Sequence, residues 1–139
     1  MKKQLLLISI LITLVYVTGC APTVKKTQVH QLVKSTKTWD GSTLPNYPKG
    51  TPEITILRIL IPPKTDLPMH YHPVINAGVL LKGELTVITE TNEKLHLKAG
   101  DALVELVGKM HYGRNTGSTD AEIIVFYAAE KGEKITVKK

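Results

Sequence analysis

Two histidines stand two positions apart in MHYHPVINAGVLLKG, residues 69–83, a segment that is otherwise mostly apolar. In an extended chain, residues i and i+2 project from the same face, roughly 6–7 Å apart. His70 and His72 are therefore expected to project together, and Pro73 limits strand pairing directly after them. Because imidazole is a common ligand for divalent transition metals, the pair is a modest indication of a metal site.

A third histidine strengthens that indication. His111 lies in a second glycine-containing segment, GDALVELVGKMHYGRN, residues 100–115. Three imidazoles on one side of a metal ion leave open coordination positions for water or a substrate. The alternative is that the three residues are core or pocket histidines that bind no metal.

Short strands are expected to position these side chains. Apolar and β-branched runs alternate with turn-forming residues every 8–12 positions, and no helical period is present beyond the N-terminal segment. The pattern predicts an all-β fold, a small antiparallel barrel or jelly roll. The predicted strands are 28–39, 54–61, 76–81, 85–90, 94–100, 101–107 and 121–129, and the segment 108–120 is predicted to be turn-rich.

The two histidine segments resemble the two motifs of the cupin family of small β-barrels. The first family motif reads G, five residues, H-x-H, three or four residues, E, six residues, G. The second reads G, five residues, P-x-G, two residues, H, three residues, N. Seven positions match at the family spacing: His70, His72, Gly83, Gly100, Gly108, His111 and Asn115.

Three positions depart from the family motifs. Lys64 stands where the family has its first glycine and Leu106 where it has proline, and both concern turns. Asn76 replaces the glutamate that commonly completes the metal site. An amide can offer a neutral oxygen ligand or a hydrogen bond to bound water, but it brings neither negative charge nor a general base. A site left with the full charge of the metal should favour an anionic, chelating ligand such as a carboxylate.

The resemblance implies that His70, His72 and His111 bind a divalent metal ion inside the barrel, with Asn76 as an additional candidate ligand. Iron, manganese, nickel, zinc and copper are all compatible with imidazole ligands. Two functions stay open. One is a metal-dependent enzyme, an oxidoreductase of the dioxygenase kind or an isomerase, acting on a small anionic molecule. The other is a non-catalytic module that binds a small molecule or a metal chelate. The family likeness also implies a homodimer.

Three further residues are candidates for substrate binding. Arg58 could clamp a carboxylate, or it could lie on the solvated face of its strand. Glu105 could replace the missing carboxylate, or it could be an ion-pair partner. Tyr112 follows His111 and is expected near the mouth of the barrel.

The N-terminal segment predicts export. A basic start, the apolar run LLLISILITLVYV and the tetrapeptide VTGC resemble a bacterial lipoprotein signal, with Cys20 as the lipidated residue. The expected division is a signal peptide at 1–19, a tether with the first strand at 20–38 and the barrel domain at 39–139. The predicted location is the extracytoplasmic, periplasmic side of a membrane, and Ala21 in place of aspartate favours an outer membrane.

The charge balance indicates no nucleic-acid partner. The chain carries 18 basic and 12 acidic side chains; without Lys2 and Lys3 of the predicted signal, 16 remain against 12, a net charge of +4. The lysines are scattered, and no basic stripe with interleaved aromatic residues is present.

Overall fold

The computed structural model describes residues 26–139, so the predicted signal peptide and Cys20 lie outside the described part of the chain. Within it, no helix is long and apolar enough to cross a membrane. The strands are β1 (Pro52–Ile61), β2 (Thr65–Asp66), β3 (His70–Tyr71), β4 (Ile75–Lys82), β5 (Glu84–Thr89), β6 (Lys94–Lys98), β7 (Ala102–Val104), β8 (His111–Asn115), β9 (Ala121–Glu130) and β10 (Val137–Lys138).

Two antiparallel sheets form a jelly roll, which confirms the predicted all-β fold. One sheet has the order β1-β9-β4-β7, and the other has the order β10-β3-β8-β5-β6 with β2 paired to β8. The chain passes repeatedly from one sheet to the other, for example from β3 to β4, from β4 to β5 and from β8 to β9, so the inner faces of the two sheets enclose one core. That core is formed by buried aliphatic side chains together with Tyr127.

The long strand β1 is apolar on both faces, and its pairing with β9 decides which face lies inside. Ile59 lies opposite Ile123, and both side chains point into the core. Ile56 lies opposite Phe126, and both are exposed on the outer face. The outer face of this sheet therefore carries large apolar side chains that are not covered by the described chain.

The motif glycine at the β4–β5 turn is required by its surroundings. Gly83 has φ 71°, and a Cβ atom there would lie 2.5 Å from the carbonyl oxygen of Asp120. Lys64 adopts the same left-handed region, with φ 57°, at the position where the family motif has glycine. Leu106 occupies the family's proline position and is fully buried, so apolar packing replaces the rigid ring there.

The motif asparagine, Asn115, connects two parts of the fold through side-chain hydrogen bonds. Asn115 is fully buried at the end of β8, and its side-chain amide donates hydrogen bonds to the carbonyls of Ile61, Pro62 and Thr119. Its Oδ1 accepts from the backbone N–H of Gly117 at 2.9 Å. This residue joins the end of β1 to the turn between β8 and β9.

Two predictions about strands are wrong. The segment 28–39 forms no strand; Val29 is 90% exposed, and residues 26–36 pair with no strand of the described chain. Loose alternation is not enough there, because a strand is stabilised by a neighbouring strand, and the segment pairs only through an isolated bridge from Lys37 to Thr43 and one backbone hydrogen bond from Trp39 to Val104. Conversely, β8 lies in the segment predicted as turn. Its polar residues form a strand because β5 pairs with it, with Thr86 opposite Arg114.

Candidate metal centre

Three histidine side chains converge between the sheets. His70 of β3 lies directly opposite His111 of β8 in the ladder, and His72 follows β3 by one residue. The ring centroids are 4.7–5.1 Å apart, and one ligand nitrogen from each ring lies within 4.8 Å of the other two. Two ligand atoms on one transition-metal ion lie at most about 4.2 Å apart, so the three rings would have to move closer together by at least about half an ångström to share an ion.

Backbone carbonyls determine which nitrogen of each ring is free. Nδ1 of His70 donates to the carbonyl of Pro68 at 2.7 Å, and Nδ1 of His111 donates to Lys109 at 2.8 Å. Nδ1 of His72 donates to Ile135 at 2.8 Å. Because a carbonyl only accepts, Nδ1 carries the hydrogen in all three rings. In the neutral ring, Nε2 then keeps a lone pair, which is the arrangement that orients histidine ligands in metal sites.

Burial favours the neutral form of two of the rings. His72 is 5% exposed, and burial lowers its pKa to about 4. Burial also lowers the pKa of the His70 side chain, although its hydrogen bond to Pro68 acts in the opposite direction. Both rings are therefore neutral at pH 7, as a metal ligand must be.

A row of polar side chains on the opposite sheet faces the histidines. Asn76 of β4 lies opposite Tyr127 of β9. On its other side, the backbone N–H of Glu105 donates to the carbonyl of Asn76 at 3.0 Å, which extends the β4–β7 ladder by one residue. Tyr127, Asn76 and Glu105 therefore stand side by side on three neighbouring strands. All three line the same cavity as the histidines.

The side chain of Asn76 contains an oxygen without a partner. Its Nδ2 donates to the carbonyl of Val74 at 3.3 Å, while the buried Oδ1 has no hydrogen-bond partner among the described residues. Leaving such an atom unsatisfied costs about 1–3 kcal/mol. An oxygen of this kind beside three imidazoles fits a metal ion or a water bound to one.

Glu105 and Tyr127 complete the polar part of the cavity. Oε1 of Glu105 lies 4.0 Å from Nε2 of His111, and it accepts hydrogen bonds from Trp39 Nε1 and from the backbone N–H of Leu106, each at 2.9 Å. Burial and then the charge of Glu105 raise the pKa of Tyr127 to about 12. The phenol is therefore protonated at neutral pH and can donate a hydrogen bond into the cavity.

The remaining walls are apolar and enclose a small volume. The cavity is about 290 Å³ and suits a molecule of a few heavy atoms. Its apolar lining includes Leu57, Ile59, Ile61, Leu67, Leu85, Val87, Leu103, Ile123 and Val125. Three nitrogen donors and one neutral oxygen in such a pocket fit a divalent transition metal with open positions for a ligand.

The family model for a cupin domain matches residues 57–127, the span that holds all three histidines and strands β2 to β8. This chain belongs to the cupin family.

Known relatives of this cupin include an oxalate oxidase. Oxalate oxidase GF-3.8 of Triticum aestivum is 28% identical over 92 residues, 60% of this chain and 41% of that protein. Oxalate oxidase in complex with the substrate analogue glycolate aligns at a TM-score of 0.52 with 28% identity, covering 61% of this chain and 45% of that one. DMSP lyase DddQ from Ruegeria pomeroyi aligns at 0.54 with 21% identity, covering 62% and 43%. This cupin thus spans less than half of each relative's length.

Two predicted substrate residues of this cupin do not reach the cavity. Arg58 lies on the outer face of β1, where its Nε donates to Glu122 at 2.7 Å. Tyr112 points away from His111 because adjacent strand residues face opposite sides, and its ring lies 5.3 Å below the guanidinium of Arg114. Glu105 does line the cavity, as do the three histidines and Asn76.

Tyr127 is a cavity residue that the sequence analysis did not single out. Spacing alone did not indicate it, because both faces of AEIIVFYAA, residues 121–129, are largely apolar; in the structure Ile123, Val125 and Tyr127 point inward. What was missing was the knowledge that this face of β9 meets the histidines.

Proposed function

We propose that this cupin binds a divalent transition-metal ion through His70, His72 and His111 and holds a small carboxylate-bearing molecule beside it. The observation that carries the proposal is the common hydrogen-bonding state of the three rings. Each Nδ1 is committed to a backbone carbonyl, which leaves three Nε2 atoms for one ion. Histidines that only fill a pocket would not require the same Nδ1 hydrogen bond to a backbone carbonyl in all three rings.

Asn76 is proposed as a fourth, neutral contact to the metal or to a water on it. Its buried, unpartnered Oδ1 supports this role. The amide adds no charge, so the ion has to be balanced by other groups. An anionic ligand does so at the least cost in an apolar cavity.

A small carboxylate agrees with the cavity and with the relatives. The volume of about 290 Å³ accommodates a molecule the size of glycolate. The 28% identical oxalate oxidase was solved with glycolate, its substrate analogue. A metal in the site would supply Lewis-acid polarisation of the ligand or a redox centre. The Tyr127 phenol would donate a hydrogen bond to the ligand, and the aliphatic walls would exclude water.

The proposed activity is that of a metal-dependent oxidoreductase or isomerase. A non-catalytic module that binds the same ligand is the second candidate, favoured by the amide at position 76, which cannot act as a general base. Oxygen consumption and product formation, measured over a panel of small carboxylates and thiols with iron, manganese or nickel loaded, separate the two. Ligands that raise the melting temperature without turnover would favour the binding module.

Metal content tests the proposal directly. The purified protein is expected to carry close to one equivalent of a transition metal by mass spectrometry, and a His70→Ala/His111→Ala variant is expected to carry none. His96→Ala is the matched control, because His96 is exposed on β6 and bonds Thr86 outside the cavity. Absence of metal from the wild type, even after reloading under reducing conditions, would overturn the proposal.

Membrane attachment is proposed from the sequence. A diacylglycerol on Cys20 would hold the barrel on the periplasmic side of a membrane, and a lipid anchor with several acyl chains binds firmly. Partitioning of the wild-type chain into the detergent phase of a Triton X-114 extract, lost in Cys20→Ala, is the expected result. Equal partitioning of the two proteins would contradict the anchor.

A homodimer is proposed through the outer face of the β1-β9-β4-β7 sheet. Ile54, Ile56, Leu60 and Phe126 are exposed there. An uncovered apolar face of this kind is typical of an association surface. Arg58 lies on the same face and forms a salt bridge there with Glu122 of its own chain.

A further inference from the structure

We infer that Glu105 supplies the negative charge of the metal site, in place of the glutamate that the cupin motif carries at position 76. The inference rests on the proposed metal site and specifies which side chain of this chain balances the ion. Its basis is the strand register, the distance to His111 and the absence of a lysine or arginine partner for Glu105 among residues 26–139.

The register places the carboxylate next to the position that lost one. Ala77 pairs with Val104, and the hydrogen bond from the Glu105 N–H to the Asn76 carbonyl continues that ladder. Asn76 and Glu105 are therefore cross-strand neighbours, whose Cβ atoms lie about 4.5–5.5 Å apart in such a pair. Both side chains line the inner cavity. Compared with the family motif, the carboxylate is on the neighbouring segment of chain, and it lines the same cavity.

The distance to the histidine cluster fits an ion between the two groups. Oε1 of Glu105 is 4.0 Å from Nε2 of His111. Two ligand atoms that share one ion lie at most about 4.2 Å apart, and a carboxylate that accepts from metal-bound water can lie slightly farther away. The position therefore serves either direct ligation or a hydrogen bond to the bound ligand.

Within the described part of the chain, no lysine or arginine balances the charge of this carboxylate. The Glu105 side chain is 12% exposed, and no lysine or arginine of residues 26–139 forms a salt bridge with it. Burying a carboxylate without a counter-charge is costly. The cationic partner that this residue lacks is the one that the three neighbouring imidazoles would bind.

A purely structural role can be separated from this one. Oε1 holds the indole of Trp39 and the N–H of Leu106, and no hydrogen bond to Oε2 is formed in the described structure. Glutamine keeps the shape and an oxygen acceptor for both donors but removes the charge. Glu105→Gln therefore preserves the contact with Trp39 while removing the proposed function of the carboxylate.

The test is the metal affinity of the full chain in detergent, measured by zinc(II) and cobalt(II) titration against a competing chelator. Glu105→Gln is expected to weaken binding by about 10-fold or more, the effect typical of removing a supporting group from a metal site. Asn76→Glu/Glu105→Gln, which returns the carboxylate to the family position, is expected to regain wild-type affinity. Glu93→Gln, at an exposed residue beyond the site, is the matched control.

The outcomes separate this inference from the proposed function. Wild-type and Glu105→Gln proteins that bind metal equally would overturn the role of Glu105 and leave the three-histidine site intact. A wild type that binds neither metal would overturn both. Should Gln impair folding, Glu105→Ser is the second variant, because it removes the charge and keeps a small polar side chain. Folded protein with weakened binding then supports the inference, and unchanged binding overturns it.

Discussion

At the scale of single residues, the site is prepared by hydrogen bonds that lie outside the cavity. The carbonyls of Pro68, Lys109 and Ile135 hold the three rings in one tautomer. Burial then keeps His70 and His72 neutral by lowering the pKa of each ring. Because both rings are buried, their protonation is unfavourable in the folded, metal-free protein.

A pH dependence of stability follows from that burial. The pKa of His72 is about 4 in the folded protein and 6.5 as a reference value, so the unfolded chain takes up the proton first as the pH falls. The contribution of neutral His72 to the free energy of unfolding of the metal-free protein is therefore fully present above pH 6.5. It is lost progressively as the pH falls from 6.5 to 4. The loss attributable to this residue is at most about 3 kcal/mol.

Urea unfolding in the presence of a chelator, repeated at intervals between pH 7 and 4, measures this loss. His72→Gln should show a flatter profile, because it removes the titrating ring while the carboxylates that also titrate in this range are retained. Parallel profiles for the two proteins would contradict the assignment to His72.

At the scale of elements, strands and turns decide where the motif residues point. Gly83 fits its turn because any side chain would collide with the backbone of Asp120. The turn before β2 has no glycine at its left-handed position. Lys64 stands there, with φ 57°, where the family motif has glycine. The left-handed region of φ/ψ space is unfavourable by about 1–2 kcal/mol for a residue with a Cβ atom.

Lys64→Gly is expected to stabilise the fold by about 0.5–1 kcal/mol. The strain relieved at φ 57° should exceed the entropy that glycine adds to the unfolded chain and the loss of the exposed hydrogen bond from Lys64 to Thr116. Urea unfolding provides the measurement. Lys98→Gly, at the exposed last position of β6 with ordinary strand geometry, is the comparison and should destabilise by a similar amount. A destabilised Lys64→Gly protein would show that the turn is not strained.

At the scale of the whole molecule, the two faces of the β1-β9-β4-β7 sheet have different surroundings: one lines the cavity and the other is exposed. The inner face closes the cavity with aliphatic side chains, Tyr127 and Asn76. The outer face exposes Ile54, Ile56, Leu60 and Phe126 to solvent in the isolated chain. Association with a second copy would cover this face without touching the site.

Phe126→Lys is expected to convert the proposed dimer to a monomer, because it places a charge at the centre of the apolar face. Light scattering coupled to gel filtration gives the mass of each species. Tyr47→Lys, at an exposed position in the loop before β1, should leave the dimer intact. A wild type that is monomeric at micromolar concentration would contradict the proposed association.

The sequence by itself determined the fold class, the family and the three histidines. The His-x-His spacing and the turn glycines at 83, 100 and 108 reflect local geometry, since two-residue alternation and a positive φ are properties of neighbouring positions. Five of the predicted strands correspond closely to observed ones, and the run at 101–107 shortens to Ala102–Val104. Local pattern is sufficient wherever a strand alternates clearly or a turn requires glycine.

The tertiary structure decided which face of each strand lies inside and which side chains meet across strands. Both parities of ITILRILI are apolar, so only pairing with β9 turned Arg58 outward, and only pairing with β5 made β8 a strand. The register of β4 against β7 and β9 brought Glu105 and Tyr127 to the two sides of Asn76. These contacts join residues far apart in the chain, and a sequence periodicity carries no information about which distant strand will be the neighbour.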